Sequence, residues 1–298
     1  MAEPYADQAA GLRRLFARKR LRVVSFAAGS AGVGKSLTVA NVAACLAQQG
    51  RSVLVLDENA GRGNVASYLG AIPRYDLANV IDREKSTADV LVNVAPGISI
   101  LPAVGAARRF ARLNEMETRA LAEGLDALDA SPDGPPDVIL VDTSQDHPLG
   151  FSPLGLAAHD TVIVMAPTPA SITDAYALIK KVSLGYERRD YRVLVNGARA
   201  QEGRAIFGNV ARVAHGRRFA RLEFAGSIPL DECVPRAVAL RQPAASLYPD
   251  SPATRAYQTF ARDLLDWPLP EGEPGGLEQF VRDLLHFCRH IDPVAIYA

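Results

Sequence analysis

A chain of 298 residues that is 48% hydrophobic and 22% charged is long and apolar enough to bury a large core, which excludes a wholly disordered protein. Lys and Arg together number 33, as do Asp and Glu, so the formal net charge of +0 excludes a field that draws the whole protein to nucleic acid or anionic lipid. The three cysteines, Cys45, Cys233 and Cys288, are widely spaced and lack a metal-ligand spacing, which predicts a reducing compartment and small apolar roles. No apolar run is long enough to span a bilayer and Met1 to Asp7 lacks the pattern of a signal peptide, so the expected location is the cytoplasm.

In chain order, Asp7 can cap a short helix that sets Ala9, Leu12, Leu15 and Phe16 on one side, followed by the basic run Arg18 to Arg22. Periodicity alone favours a helix packed on the domain over a detachable element. The apolar run Val23 to Ala27 then leads into Gly29-Ser30-Ala31-Gly32-Val33-Gly34-Lys35-Ser36, which fits G-x-x-x-x-G-K-[ST]. The glycines let successive N–H groups point into one concavity, and the helix that begins near Lys35 directs its positive end there, so polyphosphate is the expected occupant. Lys35 is expected on the outer phosphates and the Ser36 hydroxyl on Mg²⁺.

Ser52 to Leu56 reads as a buried strand that closes on Asp57 and runs into Glu58-Asn59-Ala60-Gly61-Arg62-Gly63-Asn64. Ile98 to Leu101 is a further strand, and Asp137 to Val141 closes on Asp142, an acid placed to hold Mg²⁺ directly or through water. Thr161 to Met165, Arg192 to Asn196 and Phe224 to Ile228 complete the strands, with a helical stretch from Thr173 to Val182. Alternating strands and helices predict an α/β protein, a mostly parallel sheet covered on both faces, with ligands at the carboxyl edge. Trp267 to Gly276 reads as a linker rich in proline and glycine. Beyond it, Leu277, Phe280, Val281, Leu284, Leu285, Phe287, Cys288 and Ile291 fall on one arc of an amphipathic helix. Pattern alone leaves two readings of that helix, docked on its own domain or lying in a membrane surface.

Taken together these motifs resemble the MinD/ParA group of P-loop ATPases, and within it the FlhG family of regulators of flagellar number. Asp7-Gln8-Ala9-Ala10-Gly11-Leu12-Arg13, Pro169 to Ala177, Gly226-Ser227-Ile228-Pro229 and Leu247 to Ala253 carry the resemblance, which spans nearly the whole chain. It implies ATP or ADP with Mg²⁺ as cofactors, Ser36, Asp57 and Asp142 as the metal oxygens, and Lys35, Asp57 and Asn59 as catalytic residues. It implies that Asn196 hydrogen-bonds adenine. It also implies that Gln8, Leu12, Leu15 and Phe16 meet an FlhF-like GTPase, a signal-recognition-type protein, and that the C-terminal helix binds the inner face of the membrane. A nucleotide-dependent homodimer and contacts with flagellar switch components belong to the same expectation.

The chain departs from that family at three places. The extra lysine of G-K-G-G-V-G-K-[ST], which reaches a dimer partner's phosphates, is Ser30; the second acid of D-x-D-x-G is Asn59; and an acid, Asp146, stands where D-[ST]-x-A-G has its glycine. Slow hydrolysis is therefore expected. The competing expectations are a fully active ATPase cycling between monomer and membrane-bound dimer, with Glu58 or Arg62 replacing the missing groups, and a DNA-partitioning ATPase. The neutral net charge argues against the latter. The expected organisation is an activator helix over 1–20, an ATPase domain over 21–266, a linker over 267–276 and an amphipathic helix over 277–298.

Overall fold

The computed structural model describes residues 21–61, 63–129, 134–145, 147, 151–269 and 276–290. Gln8, Leu12, Leu15, Phe16, Arg62, Asp146 and Ile291, singled out above, lie outside the described residues.

Eight strands form one sheet: β1 Arg22–Ala27, β2 Val53–Asp57, β3 Val92–Ala95, β4 Ile98–Pro102, β5 Val138–Asp142, β6 Asp160–Met165, β7 Asp190–Asn196 and β8 Arg221–Ile228. Their order is β3-β4-β2-β5-β1-β6-β7-β8, and all pairs are parallel except β3 with β4. The expected α/β class holds. The antiparallel edge strand β3 is the addition: its Val-Asn-Val-Ala is too short and too exposed to stand out as a buried strand.

The principal helices are α1 Lys35–Gln48, α2 Glu115–Asp126, α3 Pro153–Ala157, α4 Pro169–Tyr186, α5 Ala200–Gly216, α6 Pro252–Asp266 and α7 Leu277–His290. Strand side chains alternate between the faces with period two. Val24, Phe26, Val53, Val55, Val138 and Leu140 pack on one side with α1 and α6. Val23, Leu54, Leu56, Ile139 and Val141 pack on the other with α2, α3 and α7, while Ile163, Val193 and Val195 on that side meet α4 and α5.

The C-terminal helix departs from the tethered arrangement. Leu277, Phe280, Val281, Leu284 and Cys288 are buried in one core with Phe110, Leu121, Leu154 and Ala157, and Leu285 and Phe287 are partly buried beside them. The face assigned to a membrane is thus covered by the protein's own domain, and 277–290 is continuous with the body over 21–266. Covering an apolar arc this wide internally removes it from water without any lipid. The start of the linker is also fixed: the Arg22 guanidinium donates to the Trp267 carbonyl, the Arg192 guanidinium lies 4.2 Å from the Trp267 ring centroid, and that ring meets Phe260 edge-on.

Candidate phosphate-binding site

Between β1 and α1 the chain turns through a loop that needs its glycines. Gly32 and Gly34 have φ of 76° and 84°, in the left-handed region that a Cβ disfavours. A Cβ on Gly34 would lie 2.2 Å from the Asn196 amide nitrogen, and one on Gly29 2.2 Å from the Asp174 backbone, whereas one on Gly32 would meet nothing within 4 Å. The loop is tight at its base and open at its mouth. Asn196 Nδ2 donates to the Val33 carbonyl at 2.8 Å, and the Gln145 amide donates to the Ser30 carbonyl. No side chain caps the N-terminus of α1 and no acid stands in its first turn, so the first N–H groups are free of the competitor that would repel an anion. An open cradle of this kind on a helix N-terminus fits a phosphate chain.

The acids of β2 and β5 meet this loop. Asp57 and Asp142 are register partners on adjacent parallel strands and belong to the α1 face of the sheet. Both are buried, as is Lys35, whose ammonium is paired with Asp142. The other Asp142 oxygen accepts from Asn59 Nδ2 at 2.8 Å, and the same amide donates to the Asp142 carbonyl at 2.9 Å. Asp57 accepts from the N–H groups of Asn59 and Val65 at 3.0 and 2.9 Å. Burial, and then the charge of Asp142, push the Asp57 carboxyl up to about 7. Lys35, Asp57, Asn59 and Asp142 are thus brought together at the end of β2 and β5. Among the described residues no cluster of three or more His, Cys, Asp or Glu forms a metal cage. Two carboxylates and the Ser36 hydroxyl are the hard oxygens that suit Mg²⁺ when the nucleotide supplies further ligands.

Asn59 plays a part an aspartate could not. A carboxylate only accepts, so an acid at this position would repel Asp142, whereas the amide donates to it. The Lys35 and Asn59 side chains hold the two oxygens of the Asp142 carboxylate from either side.

Glu58 corrects the idea that it stands in for the missing acid. It follows Asp57 by one residue and so points to the opposite face, where it is 2% exposed, accepts from the Ser152 hydroxyl, and accepts from the Ser144 N–H at 2.9 Å. Burial pushes its carboxyl up to about 7, against the pull of these two bonds. Ser152 in turn caps α3, accepting from the Gly155 N–H at 3.2 Å. Sequence reasoning assigned no role to Gln145 or Ser152. The period of two would have separated Glu58 from Asp57, but nothing in the sequence signals that Gln145 reaches Ser30.

Residues 24–244 match the CobQ/CobB/MinD/ParA nucleotide binding domain. The antiactivator FleN of Pseudomonas aeruginosa is 34% identical over 89% of this chain and 94% of its own length. The flagellum site-determining protein YlxH of Helicobacter pylori is 26% identical over 89% of this chain and 90% of its own. Among solved structures, a chain of the MinC:MinD cell division protein complex of Aquifex aeolicus superposes with a TM-score of 0.63 at 23% identity, covering 85% of this chain and 98% of that one. MinD of Pyrococcus horikoshii with Mg-ADP gives 0.57 at 20% identity, covering 82% and 95%. The structural likenesses establish the fold.

Proposed function

Because this chain belongs to the CobQ/CobB/MinD/ParA family of nucleotide-binding proteins, we propose that it is an FlhG-like regulator of flagellar number and placement, binding ATP or ADP with Mg²⁺ and hydrolysing ATP slowly. The antiactivator and the flagellum site-determining protein among its relatives support the flagellar reading, and the relative with Mg-ADP supports the cofactor. The observation that carries the proposal is the open cradle over Gly29 to Ser36 with Lys35 buried beside Asp142 and Asn59.

Backbone N–H groups and Lys35 hold the phosphates, while Ser36, Asp57 and Asp142 supply oxygens for the cation. Bound Mg²⁺ offsets phosphate charge. Lys35 has to leave Asp142 to reach a phosphate, and the freed carboxylate keeps its Asn59 hydrogen bond. With an amide at position 59 and a hydroxyl at position 30, these two positions bring neither a second acid to orient water nor a cation to cross a dimer interface. A cationic group of that kind is worth about 10³ to 10⁵ in rate, so slow turnover follows.

The N-terminal segment, through Gln8 with Leu12, Leu15 and Phe16 as anchors, is proposed to stimulate an FlhF-like GTPase by presenting a water-orienting amide. A nucleotide-dependent homodimer, a cytoplasmic location and reversible membrane attachment through α7 complete the reading. Attachment requires α7 to leave the domain, since Leu277, Phe280, Val281, Leu284 and Cys288 are buried there. ATP binding and turnover measured on one preparation test the core of the proposal: binding without brisk turnover supports it, and rapid turnover favours a fully active ATPase. Gln8→Ala is expected to leave GTPase binding intact while removing most of the stimulation; equal stimulation by both chains overturns that role.

A further inference from the structure

The buried acid beside Asp57 is absorbed by none of this chemistry. The four β2 residues before Asp57 are apolar, and an apolar residue at position 58, just past the strand, would continue the face formed by Leu54 and Leu56 at far lower desolvation cost. What Glu58 has instead is a set of fixed bonds to the two ends of the segment that follows β5. Its own N–H donates to the Asp142 carbonyl at 3.1 Å, its carboxylate accepts from the Ser144 N–H at 2.9 Å, and it accepts from the Ser152 hydroxyl.

The path from Glu58 to the cradle is short. Thr143 is tied to β1, its N–H and hydroxyl donating to the Phe26 carbonyl at 3.1 and 2.7 Å. Ser144 is then held by Glu58. The next residue is Gln145, whose amide donates to the Ser30 carbonyl in the phosphate loop. The Glu58 bond is therefore the anchor adjacent to the residue that touches the cradle. The Ser152 arm differs, because α3 has a second support: the half-buried Arg188 guanidinium donates to the carbonyls of Leu156, Ala158 and His159 at 2.8, 2.7 and 2.8 Å.

We infer that Glu58 is a positioning residue for the phosphate loop: from the face of the sheet opposite the nucleotide it fixes Ser144, and through Gln145 it sets the Ser30 side of the cradle. The inference rests on the nucleotide reading for its consequence in binding, but the positioning itself concerns this chain alone. Replacing Glu58 with an apolar residue removes the carboxylate that holds the Ser144 N–H and loosens the Gln145 contact. Glu58→Gln keeps an acceptor for Ser144, and its amide can donate to Ser152, whose hydroxyl both donates and accepts.

The test compares Glu58→Leu, Glu58→Gln, Ser152→Ala and Gln145→Ala in the full chain, by amide hydrogen exchange without nucleotide and by calorimetric titration with Mg-ADP. Glu58→Leu is expected to speed exchange over 29–33 and 143–145 and to weaken ADP about tenfold, the usual scale for one lost hydrogen bond to a charged group. Glu58→Gln is expected to restore both readouts. Ser152→Ala, which loses a helix cap, should lower Tm while leaving the phosphate loop and ADP affinity near wild type. Gln145→Ala should speed exchange over 29–33 and leaves β2 and α3 untouched, so it decides the matter if Glu58→Leu does not fold. Unchanged exchange over 29–33 in Gln145→Ala, or a Ser152→Ala chain that reproduces Glu58→Leu, overturns the inference. Should wild type bind no ADP, the nucleotide reading falls, and the exchange data still decide whether Glu58 positions the loop.

Discussion

The two faces of the sheet, where they meet at the end of β2, are a controlled comparison. Asp57 and Glu58 are consecutive acids and both are buried, yet Asp57 joins Asp142, Lys35 and Asn59 on the side of the phosphate loop, while Glu58 joins Ser144 and Ser152 on the side of α3 and α7. The lesson is that residue type alone does not assign a role. The strand's period of two does, by giving one acid access to a ligand and the other only to the protein.

The comparison is broken most directly at Lys35. Lys35→Ala is expected to abolish nucleotide binding in calorimetry and to leave Asp142 as a buried charge without its cation, a loss of about 3–5 kcal/mol in stability. Lys35→Gln should also lose binding but keep a donor to Asp142, with a smaller fall in Tm; nucleotide retained in both variants defeats the central reading. On the other face, Phe280→Ala should cost about 3–5 kcal/mol in denaturant unfolding, since Phe280 is 0% exposed and its removal leaves a cavity. A cost near zero would show that α7 contributes nothing to the domain's core and would favour the free, lipid-facing helix.

A finer cut lies within the nucleotide face. Ser30→Lys combined with Asn59→Asp should raise ATP turnover at least about tenfold, a part of the 10³ to 10⁵ that a cation in trans can supply. Brisk turnover by the unmodified chain would remove the distinction. The smallest effect concerns the α3 and α7 side, where burial holds His159 below the ordinary histidine value and its Nδ1 accepts from the Val23 N–H at 3.2 Å. The stability from neutral His159 is fully present above the unfolded value of about 6.5 and is lost as pH falls through the lower folded value. Tm measured between pH 7.5 and 5, a range set around that value, should fall more steeply in wild type than in His159→Gln. Equal slopes would mean that His159 titrates as it does in the unfolded chain.

Much of this was legible before the structure. The G-x-x-x-x-G-K-[ST] spacing located the cradle, because glycine adopts the left-handed turns at Gly32 and Gly34 without the strain of a Cβ and a following helix supplies the dipole. The apolar runs closing on Asp57 and Asp142 located the acids. Missing were contacts between residues far apart in the chain: Gln145 with Ser30, Asn196 with Val33, and Arg188 with the carbonyls at the end of α3. The edge strand β3 was missed because its alternation covers only four residues.

The C-terminal helix divides the two kinds of information. Its period, its apolar arc and the position of its members were determined by the order of residues alone, since 3.6 residues per turn place Leu277, Phe280, Val281, Leu284 and Cys288 on one side in any surroundings. What covers that arc was decided by the tertiary structure. Lipid and a protein groove both remove apolar surface from water and so demand the same pattern, and only the packing of Phe110, Leu121, Leu154 and Ala157 against it chooses between them here. Asp57 and Glu58 divide the same way: the alternation assigned their faces, but the parallel pairing of β2 with β5 decided that one face holds Lys35 and the other Ser152.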